Sequence, residues 1–96
     1  MKVIFHRKAA KESIEAFKWY NRISEELGER FKVELDVKLI GVVANPYLCH
    51  NRGNGIFSVR LKVFPYSIFY KIHPGYIRIL AVFHCRRHQT IWRKRR

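Results

Sequence analysis

The spacing of apolar positions along the chain changes period midway, and that change separates a helical half from a strand half. Met1 to His6, "MKVIFH", reads as a short strand. The next stretch, "RKAAKESIEAFKWYNRISEEL", places Ile14, Phe17, Trp19 or Tyr20, Ile23 and Leu27 at the 3-to-4 spacing of one helix face, with Gly28 as the expected stop. A second helix is expected at once. Phe31, Leu35, Leu39, Val42 and Val43 form its stripe, and Glu29 suits its first turn, where a carboxylate meets the positive end of the helix dipole. Asn45-Pro46 ends it, because proline disfavours helical backbone in the residue before it. Helices joined so tightly predict an antiparallel hairpin.

"YLCHNRGNG" is expected to be a loop punctuated by Gly53 and Gly55. Beyond it the period becomes two. Phe57, Val59, Leu61 and Val63 alternate with Ser58, Arg60 and Lys62, which predicts a half-buried strand broken by Pro65. Tyr66, Ile68, Tyr70 and Ile72 then alternate with Ser67, Phe69 and Lys71 up to a His73-Pro74-Gly75 turn. "YIRILAVFH" is apolar on both faces and belongs in the centre of a sheet. The expected architecture is α+β: an N-terminal strand, an antiparallel helical hairpin and a three-stranded antiparallel meander, with the helices on one face of the sheet.

A chain of 96 residues forms a single domain, here 1–96 with a basic tail from about 86 to 96. Seven Phe, five Tyr and two Trp supply enough apolar bulk for a core, which argues against disorder despite the charge. That charge is +13, and its distribution says more than its size. All seven acids, Glu12, Glu15, Glu25, Glu26, Glu29, Glu34 and Asp36, precede Val37, where eight Lys and Arg nearly balance them. From Val37 onward twelve Lys or Arg face no acid at all. Such an excess predicts an anionic or acidic macromolecular partner.

Helices on one side of the sheet would leave the other open, carrying Arg60, Lys62, Lys71 and Arg78 together with Arg86 and Arg87. Phe69, Tyr76 and Trp92 interleave with these cations, the combination that neutralises phosphate and stacks on bases. His84 beside the arginines is a candidate for proton transfer because its ordinary pKa lies near neutrality. No metal is expected: "HCRRH" completes no tetrahedral ligand set, and its arginines repel a cation. No cofactor loop is present either, since "NRGNG" lacks the Lys and Ser/Thr of a phosphate cradle. The acids are expected at exposed helix positions, so any catalysis would rest on cations, His, Tyr or backbone. Cys49 and Cys85 are far apart, and the opening segment is too short in apolar residues for a secretory signal, so reduced thiols in a cytoplasm, with no membrane association, are expected.

"ELGERFKVELD" at the helix junction, "NP" after the second helix, "FPYSIFYKI", "ILAVFHCRR" and a Trp near the end follow one another in an order that resembles the RelE/ParE superfamily of toxins from bacterial type II toxin–antitoxin modules. The ParE, or plasmid stabilisation, branch is the closer. The resemblance implies a growth-inhibiting toxin held inactive by a cognate antitoxin in a hetero-oligomer. RelE-like members cut mRNA in the ribosomal A site without a metal, whereas ParE-like members poison DNA gyrase and are not enzymes. On the ribonuclease pattern Arg60 and Lys62 fall at basic strand positions and Arg86 at the phosphate-stabilising arginine, with His84 able to compensate in part. Ser67 stands where that pattern has an arginine, and Trp92 where it has a tyrosine. Serine carries no charge and indole only donates, so the reading favours gyrase poisoning through Arg60, Lys62, Lys71, Arg86, Arg87 and Trp92 over mRNA cleavage through Arg60, Lys62, Arg86 and His84.

Overall fold

A computed structural model describes residues 1–86. Strand β1 (Lys2–Phe5) leads into helices α1 (Arg7–Ile23) and α2 (Glu25–Ala44), followed by strands β2 (His50–Gly53), β3 (Ile56–Arg60), β4 (Tyr66–His73) and β5 (Tyr76–His84). The sheet order is β1-β5-β4-β3-β2, with β1 parallel to β5 and the other neighbours antiparallel. β5 is thus an interior strand flanked by β1 and β4, as its two apolar faces predict, with β4 at the middle of the sheet, and the helical hairpin packs on one face.

Two boundaries before β3 differ from the sequence expectation. The break between helices falls at Ser24, four residues before Gly28. Ser24 serves both ends: its amide donates to the Tyr20 carbonyl at 3.0 Å, closing α1, and its Oγ accepts from the Leu27 amide at 3.0 Å, opening α2. Glu25 and Glu26 then occupy the first turn of α2, complementing its dipole. Gly28 instead lies inside α2, buried where the two helices cross; a Cβ there would sit 2.8 Å from the Asn21 Cβ and 2.9 Å from its Cα. The second difference is β2, which occupies part of the expected loop. Gly53, Asn54 and Gly55 take φ of 88°, 53° and 75°, and the Asn51 side chain accepts from the Gly53 amide at 2.8 Å, so the segment closes as a hairpin onto β3.

The helix-side core joins Phe31, Leu35 and Val42 of α2 to Ala9 and Ala16 of α1 and to Phe57, Ile68, Tyr70, Ile77, Ile79 and Val82 of the sheet. Phe17 and Tyr20 of the expected α1 stripe pack against this core beside the buried Ala9 and Ala16, whereas Ile14 and Ile23 are more than half exposed. A second apolar cluster lies on the other face: Ile56, Phe69, Leu80, Ala81 and Phe83, all buried. An irregularity in β5 produces it. Phe69 pairs with Ala81 and Tyr70 with Ile79, leaving Leu80 as an extra residue, so Leu80 and Ala81 both turn away from the helices. The centre of that face is therefore closed, not open as the charge pattern suggested.

Tyr70 ties the end of α2 to the sheet. Its hydroxyl, on a fully buried ring, donates to the Pro46 carbonyl at 2.6 Å. Burial, and then the neighbouring Cys49 thiol, push its pKa well above the ordinary 10.0. The unfolded chain thus loses this proton first. Stability from Tyr70 is complete below about pH 10 and declines above it, by up to about 1.4 kcal/mol per pH unit. Chemical denaturation across that range should show a shallower decline in Tyr70→Phe than in the parent; equal slopes would remove the assignment.

Candidate functional site

β3 and β5 finish at the same end of the sheet, which carries Arg60, His84 and Arg86. Arg60 is exposed at the last position of β3, opposite Ser67 of β4. Phe57 and Val59 point to the helices, so alternation puts Arg60 on the outer face with Ile56 and Ser58. Ser67 is 7% exposed, and its Oγ lies 3.8 Å from the Cys85 Sγ. His84 closes β5 on the helix side. Its ring meets Tyr66 edge-on at 5.2 Å, and its Nδ1 accepts the Arg86 amide at 3.2 Å, which assigns the proton to Nε2. With Glu12, Glu15, Ala16, Trp19 and Val82 these rings line a cavity of about 200 Å³.

Lys62 is not beside Arg60 on one face. The regular strand stops at Arg60 because Glu34 of α2 captures the following amides: its carboxylate accepts from Lys62 N at 3.0 Å, Val63 N at 3.1 Å and Phe64 N at 3.4 Å. The alternation expected through Val63 therefore ends early, and Lys62 and Val63 turn toward α2. There they line a groove of about 560 Å³ with Val33, Val37 and Lys38. Lys71 lies at the far end of β4, four residues from Ser67 and hence about 13 Å along the strand, paired with Arg78. The cations expected on one surface are divided among the outer face near Arg60, the α2 groove and the opposite end of the sheet. Arg87 and Trp92 lie outside the described residues.

Two acids do work that the helical pattern did not reveal. Besides Glu34, Glu12 of α1 accepts from the Val82 amide at 3.0 Å, on the part of β5 that runs beyond the end of β1. Neither is a surface charge alone; each satisfies backbone donors that no neighbouring strand reaches. Among the described residues no three of His, Cys, Asp and Glu gather as metal ligands, both cysteines are free, and no helix is long and apolar enough to cross a membrane.

A helical hairpin on one face of a five-stranded sheet with a parallel β1–β5 pair is the fold of RelE- and ParE-type toxins. A chain described as the chromosomal ParDE toxin–antitoxin system from P. aeruginosa superposes with a TM-score of 0.73 at 16% identity, over 88% of this chain and 95% of its own. The isolated E. coli RelE toxin superposes with a TM-score of 0.60 at 18% identity, over 93% of this chain and 88% of its own. The family model for the ParE toxin of type II toxin–antitoxin systems, parDE, matches residues 3–89, and the chain belongs to that family. No curated protein sequence matches it.

Proposed function

We propose that this toxin arrests growth by binding and poisoning DNA gyrase, without cutting RNA, and that a cognate antitoxin neutralises it. The separation of its cations carries the reading. Metal-free cleavage of a phosphodiester needs a base, an acid and a cation within hydrogen-bond reach of one phosphate. Here Arg60 faces outward, Lys62 faces α2, and His84 faces the helix side with one ring nitrogen already engaged. At Ser67, where a ribonuclease of this fold would place an arginine, the side chain is buried and uncharged.

Exposed Val33, Val37 and Val63 around the α2 groove, and Ile40 further along that helix, offer apolar surface on a chain of net charge +13. Within the groove Glu26, Glu29 and Glu34 balance Arg30, Lys38 and Lys62, so the groove suits an apolar antitoxin segment, and the charge of the whole chain suits acidic residues flanking it. Purified toxin should block supercoiling by gyrase at near-stoichiometric ratio, and added antitoxin should restore it. Toeprinting on translating ribosomes should show no A-site cut. Unchanged supercoiling together with a cut would replace this reading with ribosome-dependent mRNA cleavage.

A further inference from the structure

We propose that the outer face of the sheet, at the end where β4 turns into β5, binds single-stranded nucleic acid. The inference is independent of which enzyme the toxin poisons. Register places the relevant side chains together. Lys2 of β1 lies beside Tyr76, and Tyr76 lies opposite His73. One step inward, Arg78 lies between Ile4 and Lys71. Val3, Ile72, Ile77 and Ile79 pack on the helix side, so alternation turns Lys2, Lys71, His73, Tyr76 and Arg78 outward. Arg52 of β2 joins them from the other edge: its Nε donates to the Ser58 Oγ at 2.9 Å, and its guanidinium lies 5.6 Å above the Phe69 ring.

Four of the five strands therefore each send one cation to this end of the face. With neighbouring strands about 4.8 Å apart, the row from β1 to β2 spans about 19 Å, enough for several phosphates of an extended strand. Lys71 and Arg78 sit directly opposite each other. A phosphate between them is within reach of both cations. Every Asp and Glu of the chain lies on α1 or α2, in the other layer, so no acidic side chain shares this face with the cations.

The rings decide which nucleic acid fits. His73 and Tyr76 stack with centroids 4.7 Å apart and planes 7° from parallel, both half-exposed beside Lys2. Such a pair extends a stack for an unpaired base, which a duplex does not offer. Nothing in the row distinguishes a 2′-hydroxyl, so single-stranded RNA and DNA should bind alike.

Fluorescence anisotropy with the full chain tests this, using labelled 12-mers of oligo-dT and oligo-U and a 12-bp duplex. The single strands should bind more tightly than the duplex. Lys2→Gln with Lys71→Gln should weaken single-strand binding on the order of tenfold at about 0.1 M salt and reduce the slope of log K against log salt by about 1.4. Lys8→Gln with Lys18→Gln removes the same charge from α1 and should change affinity less than about threefold, which excludes a general charge effect. Tyr76→Ala should weaken the single strands about tenfold and leave the duplex unchanged. Circular dichroism of each variant confirms that it is folded. Equal losses from the two lysine pairs, tighter binding of the duplex, or a tenfold preference between RNA and DNA would overturn the proposal.

Discussion

Glu34→Ala should lower the unfolding free energy by about 3 kcal/mol, a large fraction of the stability of a domain this size. One carboxylate accepts from three consecutive amides, Lys62, Val63 and Phe64, and so fixes the bend between β3 and β4. Alanine leaves those donors without an acceptor. Charge-assisted bonds contribute about 1.5 to 3 kcal/mol each, but the Lys62 and Val63 amides are exposed and can turn to water, which keeps the total well below three full bonds. Phe64 adds to the loss, because its ring packs edge-on against Tyr20 at 4.7 Å and Phe31 at 5.2 Å. Glu34→Gln keeps one accepting oxygen and should fall between the two. Urea denaturation followed by circular dichroism measures the series; a loss below about 0.5 kcal/mol for alanine would reduce Glu34 to an ordinary surface charge.

The second large effect sets propensity against packing. Alanine is preferred to glycine inside a helix by about 1 kcal/mol, so on propensity alone both Gly28→Ala and Gly41→Ala should stabilise α2. At Gly28 the new Cβ would lie 2.9 Å from the Asn21 Cα, a backbone atom that moves only if α1 moves. Overpacking costs about 1 to 3 kcal/mol, and contact with backbone belongs at the upper end, so a net loss of about 2 kcal/mol is expected. At Gly41 nothing lies within 4 Å, and the same substitution should gain about 1 kcal/mol. Thermal unfolding of the two variants should therefore shift in opposite directions. A shift of the same sign in both would mean that the helix crossing is looser than the structure makes it.

Several elements follow from local pattern: β4 from alternation, β5 from a run apolar on both faces, the turn between them from His73-Pro74-Gly75, and the end of α2 from Asn45-Pro46. Two further signals were present but outweighed. Ser24 followed by Glu25 and Glu26 marks a helix start more specifically than Gly28 marks a stop, since an N-cap hydroxyl and an acidic first turn act on the same exposed amides. Asn54-Gly55 is a strong hairpin signal, because both residues tolerate positive φ, yet β2 has almost no apolar residues to announce a strand. The face of α1 was legible only in part from size. Phe17 and Tyr20 of the expected stripe do pack on the core, but the closest approach is made by the buried Ala9 and Ala16, while Ile14 and Ile23 stay outside.

The candidate site divides along the same line. Cation type and the absence of acids after Asp36 are properties of composition and are read directly. Which cations stand together is not: Lys62 left the strand face when Glu34, 28 positions earlier in the chain, took its amide. The roles of Glu12 and Glu34 were hidden for the same reason, since helical periodicity records which side of a helix a carboxylate occupies and not which distant amide it meets.

By itself, then, the order of residues determined the α+β class, the interior place of β5 and a strand region of one charge sign, all consequences of periods of a few residues and of composition. Tertiary structure alone decided that the outer face is closed at its centre by the Phe69 and Phe83 cluster and that its cations part into separate groups. Those outcomes depend on pairings between residues far apart in the chain, an extra residue in β5 and a carboxylate from another layer, and local periodicity carries no information about contacts made across such distances.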